Sequence, residues 1–575
     1  VDRGPSLAER LGERLDRLSF QSPWHRMRLK GRYPLKLLAV PEDPIPGDPA
    51  LGARLKGGRL FHGGYGQGML EARLDAPDAP PAWRQWVHGW GWLRDLDEAA
   101  PLSSADVGRA EALAKRWLTR FHEYDEEAWA PAATGRRILM AITHAPLVMP
   151  GHDHIHRSAV LNGIARWARH LERAAPRMQP GLGKLEAVAG LLGAALMLPG
   201  GDERQATAQA LLGDAIRSVL ADDGSALSRC PLDLASLGDL LLLLASFYEA
   251  RGLKVGLAVA EPLAKLKAAL AALTMGDGLP SPWHGGEPSA AQMARLGISA
   301  PASGATPGPA PGRGSGFQRL AAGPVRVVVD AGPPPPSRLS ANAHASTLAF
   351  TMTDGKRRLI VSCGGERGER GLRGFPPELV AGLRSTAGHS TLVLADTNSS
   401  RLPEAGVRRP GGVEEVVAEC MGSAEGQWLE ARHDGWRRRF GLDHLRRLWL
   451  SPDGLNLRGE DHLRPQRAGL PIGRPRGPLG VAVRFHLAPG ATATLTQDGR
   501  GALIRLAGSR PAQDSAWTFR ASFNHAPGLL QIEPSLMVAA DGTAQEIQQL
   551  LLTTLVEPGG GADIGWSLKK QAGQG

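Results

Sequence analysis

The 575-residue chain has only three cysteines and four tyrosines, and both scarcities narrow what it can be. Cys230, Cys363 and Cys420 are an odd set without CxxC spacing. They exclude a disulfide framework and a cysteine-based zinc module, and leave room for one bridge at most. No apolar run reaches the length of a membrane-spanning helix; the strongest, Leu240 to Phe247, reads as a buried helix segment. The opening VDRGPSLAERLGERLDRL is charged and amphipathic, without the apolar stretch of a secretory signal. With Val at position 1, a leader already removed and a mis-assigned start both stay open. A compact nucleic-acid motif and a long basic tail are also missing. The net charge of +10, carried by scattered arginines, therefore points to polyanions other than nucleic acid, or to nothing more than an arginine-rich solvated surface.

What is present is the composition of a soluble globular protein, 42% hydrophobic and 22% charged, on a chain too long for one core. Residues 1–103 read as a partly helical extension. From 104 to 299, stretches such as ADVGRAEALAKRWLTRFHEY, HRSAVLNGIARWARHLERAA and KLEAVAGLLGAALML repeat apolar residues at three-to-four spacing, separated by Gly/Pro/Asp breaks. Successive antiparallel helical pairs of this kind give an incomplete (α/α) toroid or a bundle. Residues 300–316, APASGATPGPAPGRGSG, have linker composition. From 317 to 575 short β-type runs follow one another, among them PVRVVVDAG, STLAFTMT, RRLIVSC, QWLEARH, GVAVRFHL and EIQQLLLTTLV. Turns such as Asp354-Gly355, Asp453-Gly454 and Asp541-Gly542 separate them. The predicted architecture is multidomain, α then β, with an antiparallel β-sandwich at the C-terminal end.

Several of these pieces carry a family signature. ANAHASTLAFTMTDGKRRLIVSCGG followed by LRSTAGHSTLVLADTNSS resembles the β-domain signature of heparinase II/III-like proteins. RHDGWRRRFGLDHLRRLWLSPDGLNLRGEDHL and VRFHLAPG are similar to its continuation. In the helical half, LADDGSALSRCPLDLASLGDLLLLL resembles the family's Asp-Gly-Gly-His-x-Ser-Arg-x-Pro segment, and LFHGGYGQG fits the N-terminal region. The resemblance spans nearly the whole chain. It implies a helical toroid plus β-sandwich, and cleavage of a uronate-containing acidic polysaccharide by β-elimination.

That chemistry needs a group to neutralise the uronate carboxylate, a base for the C5 proton and an acid for the leaving oxygen. The resemblance places Asn342 where active relatives carry a catalytic histidine; its amide can meet a carboxylate but cannot act as a base. His344 matches a zinc ligand. The other two ligand places fall on Ser362, where the family has aspartate, and His389, so His344 and His389 remain as candidates for a zinc site in the β-domain. Neighbouring Cys363 would face the opposite side of the strand. The family's tyrosine maps near Asp233, and its second glycine and histidine map to Ser225 and Ala226. The remaining catalytic candidates are His389, Arg384 and Tyr248, the last on the helix DLLLLLASFYEARG, where a core role competes. Arg229 is a candidate substrate contact because its planar fork suits a carboxylate or sulfate; an interdomain salt bridge is the competing role for it and for Arg384. In HDGWRRRFG, His433 and Trp436 are further candidate glycan contacts, and His433 with Asp434 forms a turn that an Asx bond could equally close.

Two clusters read more plainly. HDHIH, His152 to His156, looks like a metal tract but opens a helix that Asp153 can cap. Trp83, Trp86, Trp90 and Trp92 could stack on sugars, yet their spacing suits a buried helix contact better. Two functions stay in view: a polysaccharide lyase, and a non-catalytic acidic-glycan-binding or envelope-assembly protein on the same fold. The resemblance implies the cell envelope or periplasm, whereas the lack of a visible signal leaves a cytoplasmic location open.

Overall fold

The computed structural model describes Gly12 and residues 18–31, 33–151, 153–299, 313–365, 375–402, 411–466, 477–506, 515–524, 526–539 and 541–571. Most of the 300–316 stretch, and His152 of the HDHIH cluster, lie outside the described residues. The chain divides into two compact units. One holds Pro5–Val219 and Ser236–Ala264; the other holds Leu220–Ala235 and Lys265–Gly575.

The first unit is helical. Its principal helices are Ser104–Arg120, Pro131–Thr143, His154–Ala174, Leu182–Met197 and Asp202–Arg217, with a short hairpin of β1 (Arg59–His62) and β2 (Tyr65–Gly68) before them. Their starts are written locally. Ser103 and Asp106 form a reciprocal capping box, and Asp153 caps the helix that His154 opens by accepting from the His156 N–H. Leu182–Met197 is buried from Ala187 onward on every side, as an all-apolar helix must be. It packs on Pro131–Thr143 through two glycines. A Cβ on Gly190 would lie 2.4 Å from Gly135 Cα, so the backbones touch where side chains would stand. Trp83, Trp86, Trp90 and Trp92 are all buried. Trp90, Trp117 and Trp167 meet edge to face.

The helix Pro231–Ala250 begins earlier than the apolar run at Leu240 suggests, because Pro231 supplies a preorganised first turn. At 20 residues and mean hydropathy 1.4 it has the length and composition of a membrane span. Yet Asp233, Asp239 and Glu249 interrupt it, and Leu234, Leu237, Leu241, Leu244 and Tyr248 are buried at helical spacing.

The second unit is a pair of antiparallel sheets. One sheet contains β3 (Phe317–Ala322), β4 (Val325–Asp330), β5 (Phe350–Asp354), β6 (Arg357–Val361), β7 (Leu392–Leu394), β12 (Leu479–Leu487), β16 (Leu529–Val538) and β17 (Ala544–Val556). Their spatial order is β16-β17-β12-β6-β5-β4-β3, with β7 beside β12. The other contains β8 (Val416–Ser423), β9 (Gly426–His433), β10 (Leu442–Leu450), β11 (Asn456–Pro465), β13 (Ala491–Leu495), β14 (Gly501–Leu506), β15 (Ser515–Asn524) and β18 (Ala562–Lys570). They run in the order β13-β14-β15-β18-β11-β10-β9-β8. Gly355, Gly454 and Gly542 all adopt positive φ in the turns read as hairpins. The shared core is apolar, with Phe350 stacked on Trp566 at 5.4 Å and Phe485 edge-on to Trp566 at 4.8 Å. Strand β16 escapes sequence reading because Pro534 interrupts it; as the outer strand of its sheet, it tolerates a residue without an N–H.

Candidate functional site

The signature turn lies between β4 and β5, and around it the second unit places an unusual amount of buried polarity. Asp330 ends β4 and is fully buried. Arg229 reaches it from the Leu220–Ala235 segment of the same unit, with Nη2 2.5 Å from Asp330 Oδ1. The other four guanidinium N–H groups donate to the carbonyls of Ser315, Gly332, Pro333 and Gly316 at 2.8–3.2 Å, and the guanidinium lies over the Phe317 ring at 4.7 Å. All five donors of the residue read as a glycan contact are thus engaged inside the protein.

On its other oxygen Asp330 accepts from the Ser346 hydroxyl at 2.6 Å and faces His284 Nε2 at 3.3 Å. The second contact is within ion-pair distance but poorly aligned as a hydrogen bond. The His344 backbone N–H donates to His284 Nδ1 at 3.2 Å, so that nitrogen carries the lone pair and the proton sits on Nε2, toward the carboxylate. Burial drives the Asp330 carboxyl up, but Arg229 and then His284 and Ser346 outweigh it and hold it well below the usual range. Burial lowers His284 to about 4 against the pull of Asp330, so it is neutral.

From this anchor the chain of imidazoles continues. His344 Nδ1 is 3.1 Å from His389 Nε2, and His389 Nδ1 is 2.9 Å from Ser362 Oγ. His344 and His389 are both buried, and burial followed by the neighbouring His344 and His284 keeps His389 well below the ordinary histidine range. Arg384, at the end of the helix Pro377–Arg384, donates to the Ala341 and Ala343 carbonyls and so braces the turn carrying Asn342, which is half-buried. Cys363, just past the end of β6, has partners other than those of Ser362, with Sγ 3.6 Å from His486 Nδ1; burial pushes its thiol up to about 11. His486 donates through Nε2 to the Ala387 carbonyl and accepts from Ser535 through Nδ1.

A second buried chain crosses the sandwich. Arg446 grips Asp461 through Nε at 2.8 Å and Nη2 at 3.0 Å, while its Nη1 donates to the Leu348 and Ser390 carbonyls. His444 Nε2 donates to Asp461 at 2.7 Å, leaving His444 Nδ1 to accept from His433 Nε2 at 3.2 Å. His433 Nδ1 in turn accepts the Gly435 N–H at 3.0 Å. Every proton in this chain has one direction. Trp436, fully buried, packs on His433 and His444 and donates Nε1–H to Thr397. The expected partnership of His433 with Asp434 does not form: Asp434 caps the Glu414 and Glu415 N–H groups, and His433 turns inward. Leu348 lies between the two chains, its N–H donating to the Asp330 main-chain carbonyl and its own carbonyl accepting from Arg446. Arg229, His284 and Leu348 all hold left-handed backbone at φ 58°, 46° and 63°. Each left-handed residue costs about 1–2 kcal/mol, which the surrounding hydrogen bonds must offset.

Tyr248 belongs to the helical unit, where its buried hydroxyl accepts from Gln209 at 2.7 Å. Residues 153–156 behave as a helix start: His156 is buried against the Val148 carbonyl, and Asp153 pairs with Lys115. Sequence reading missed His284, Asp330, His444 and Asp461. The available signal was an aspartate closing the apolar run VRVVVD and a histidine within LDHLRRLWL, both charged or polar where a core strand should be apolar. His284 had only its Trp-His-Gly-Gly setting.

Among the described residues no group of three His, Cys, Asp or Glu side chains converges as a metal site. His344 and His389 supply two donors, Ser362 stands at the third place, and the surroundings are sealed. The residues present do not fit the family's zinc.

The heparinase II/III-like C-terminal family model matches residues 304–567. FtsZ-localized protein C of Caulobacter vibrioides is 32% identical over 576 residues, covering 97% of this chain and 94% of that protein. Among solved structures, a mutant of the heparan sulfate lyase HepC from Pedobacter heparinus superposes with a TM-score of 0.65 at 14% identity, covering 96% of this chain and 88% of that one. A heparinase III gives 0.67 at 12% identity, over 90% and 81%. The fold is therefore the helical-toroid and β-sandwich fold of these polysaccharide lyases. The chain belongs to the heparinase II/III-like family.

Proposed function

We propose that this chain is a non-catalytic member of the family, an envelope-assembly protein that acts where FtsZ assembles. The observation that carries the reading is the saturation of Arg229, the helical-half candidate for a substrate contact. With its five N–H groups bound to Asp330 and four carbonyls, it has no donor for a uronate. The burial of His389, His433, Trp436 and Tyr248, and the substitutions at Asn342, Ser362, Ala226 and Asp233, support the same reading. The name of the 32%-identical FtsZ-localized protein C supports the location. A fluorescent fusion of the full chain is expected to follow FtsZ in cells and to disperse when FtsZ is depleted. A His389→Ala version that folds should still localise. A diffuse signal indifferent to FtsZ would sink the proposed location.

The second reading keeps the lyase. It is favoured by the half-buried Asn342 on a turn braced by Arg384, next to His344 and His389. In that reading Asn342 and Arg384 meet the uronate carboxylate and His389 moves the proton. Its signature is an unsaturated uronate product from an acidic glycan.

A further inference from the structure

We infer that the zinc implied by the family resemblance has been replaced in this chain by a metal-free hydrogen-bond chain, Ser362–His389–His344. Zinc held by protein takes four ligands, each nitrogen presenting a lone pair to the metal. Here the facing nitrogens, His344 Nδ1 and His389 Nε2, are 3.1 Å apart, and a hydrogen bond at that distance places one proton between them. The far side of the His389 ring is held by Ser362 Oγ at 2.9 Å. A serine hydroxyl there either donates to the imidazole or accepts from it, so the chain is satisfied with the protons running in either direction.

Two further features argue against a metal between the histidines. The place where the family supplies an aspartate holds Ser362, which is occupied with the opposite nitrogen of His389. The residues around the pair are also closed to bulk solvent: His344 is 1% exposed, His389 0% and Ser362 1%, so the two imidazoles must find their partners inside the protein. The nearest additional imidazole, His284, is already committed through Nδ1 to the His344 backbone and through Nε2 toward Asp330. The substitution of one ligand thus left a pair of imidazoles that satisfy each other, with Ser362 supplying the terminal partner that a buried ring nitrogen needs.

The test uses the full chain expressed in zinc-supplemented medium and then dialysed against metal-free buffer. Metal analysis is expected to find zinc far below one per chain, and the melting temperature is expected to be the same with added zinc and with a chelator. Ser362→Ala is expected to lower the melting temperature by about 2 °C, because His389 loses its buried partner, and Ser362→Thr should restore it. One zinc per chain that disappears in His344→Ala would overturn the inference. So would a Ser362→Ala protein as stable as the parent.

Discussion

Two fully buried arginines, one in each unit, show how differently the two halves of the molecule accommodate charge. In the β-unit Arg446 is neutralised by Asp461 through a two-point contact, and Asp461 in turn takes hydrogen bonds from His444 and Trp566. In the helical unit Arg137 is met by neutral groups among the described residues. It donates to the His88 and Ala128 carbonyls and to Thr134, and lies over Trp117 and Trp167 at 4.1 and 4.3 Å. The same division runs through the histidines. In the β-unit His284 faces Asp330, His444 bonds Asp461 and His462 pairs with Asp563, while His486 ends on the Ala387 carbonyl. In the helical unit His170 meets His25 and ends on the Trp129 carbonyl, and His88 accepts from Trp117; His144, held by Asp43 and Asp97, is the exception there. The β-unit carries two chains of buried charge, through Asp330 and Asp461; in the helical unit aromatic packing and close helix contacts predominate, and its buried charge gathers at His144, Asp43 and Arg94.

The largest effect that would break this contrast lies at Asp461. Asp461→Asn leaves Arg446 buried without a counter-charge, and the expected loss is about 3–5 kcal/mol, read as a lower urea midpoint for the β-unit. If the loss is below about 1 kcal/mol, the charged interior is not what holds the sandwich together. In the helical unit the comparable perturbation is steric. Gly190→Ala drives a methyl into the Gly135 backbone and should cost about 1–3 kcal/mol, again by urea unfolding.

Acid sharpens the comparison further. Burial lowers His25 and His88 to about 4 from an unfolded value near 6.5, so between those values the unfolded chain binds more protons than the folded one. Their contribution is complete above about pH 6.5 and is lost as pH falls toward 4. His144 works the other way. Burial lowers it, but Asp43 and Asp97 outweigh burial and raise it, so its contribution is present below its unfolded value and lost as pH rises through the folded one. Circular-dichroism melts from pH 7 to 4 are expected to show a falling melting temperature, and His88→Gln should reduce the slope. The smallest effect is at Tyr248: Tyr248→Phe, which removes the hydroxyl that Gln209 donates to, should cost about 1 kcal/mol in the same urea assay.

The sequence makes the two architectures legible because each has its own period. Apolar residues three and four apart mark the helices, and Asp-Gly turns mark the hairpins. The signature motif also brings attention to His344, Arg384 and His389, which the fold does gather around one turn. What stays illegible is direction. Arg229 looks the same in a string whether its guanidinium points to solvent or into five internal acceptors, and His433 looks like a partner for the adjacent Asp434 until the strand turns it toward His444. Asp330 is legible only as a polar residue closing an apolar run, and Asp461, inside the polar stretch RGEDHLR, lacks even that signal; their compensating arginines come from 101 and 15 residues away.

The most direct test of the central claim is turnover. Purified full-length chain is incubated with heparan sulfate and a panel of other acidic glycans, and absorbance is followed at the unsaturated-uronate band. The account expects no product from any of them at enzyme concentrations where a heparinase III control reacts to completion. Steady product formation that is abolished by His389→Ala in a folded protein would contradict it.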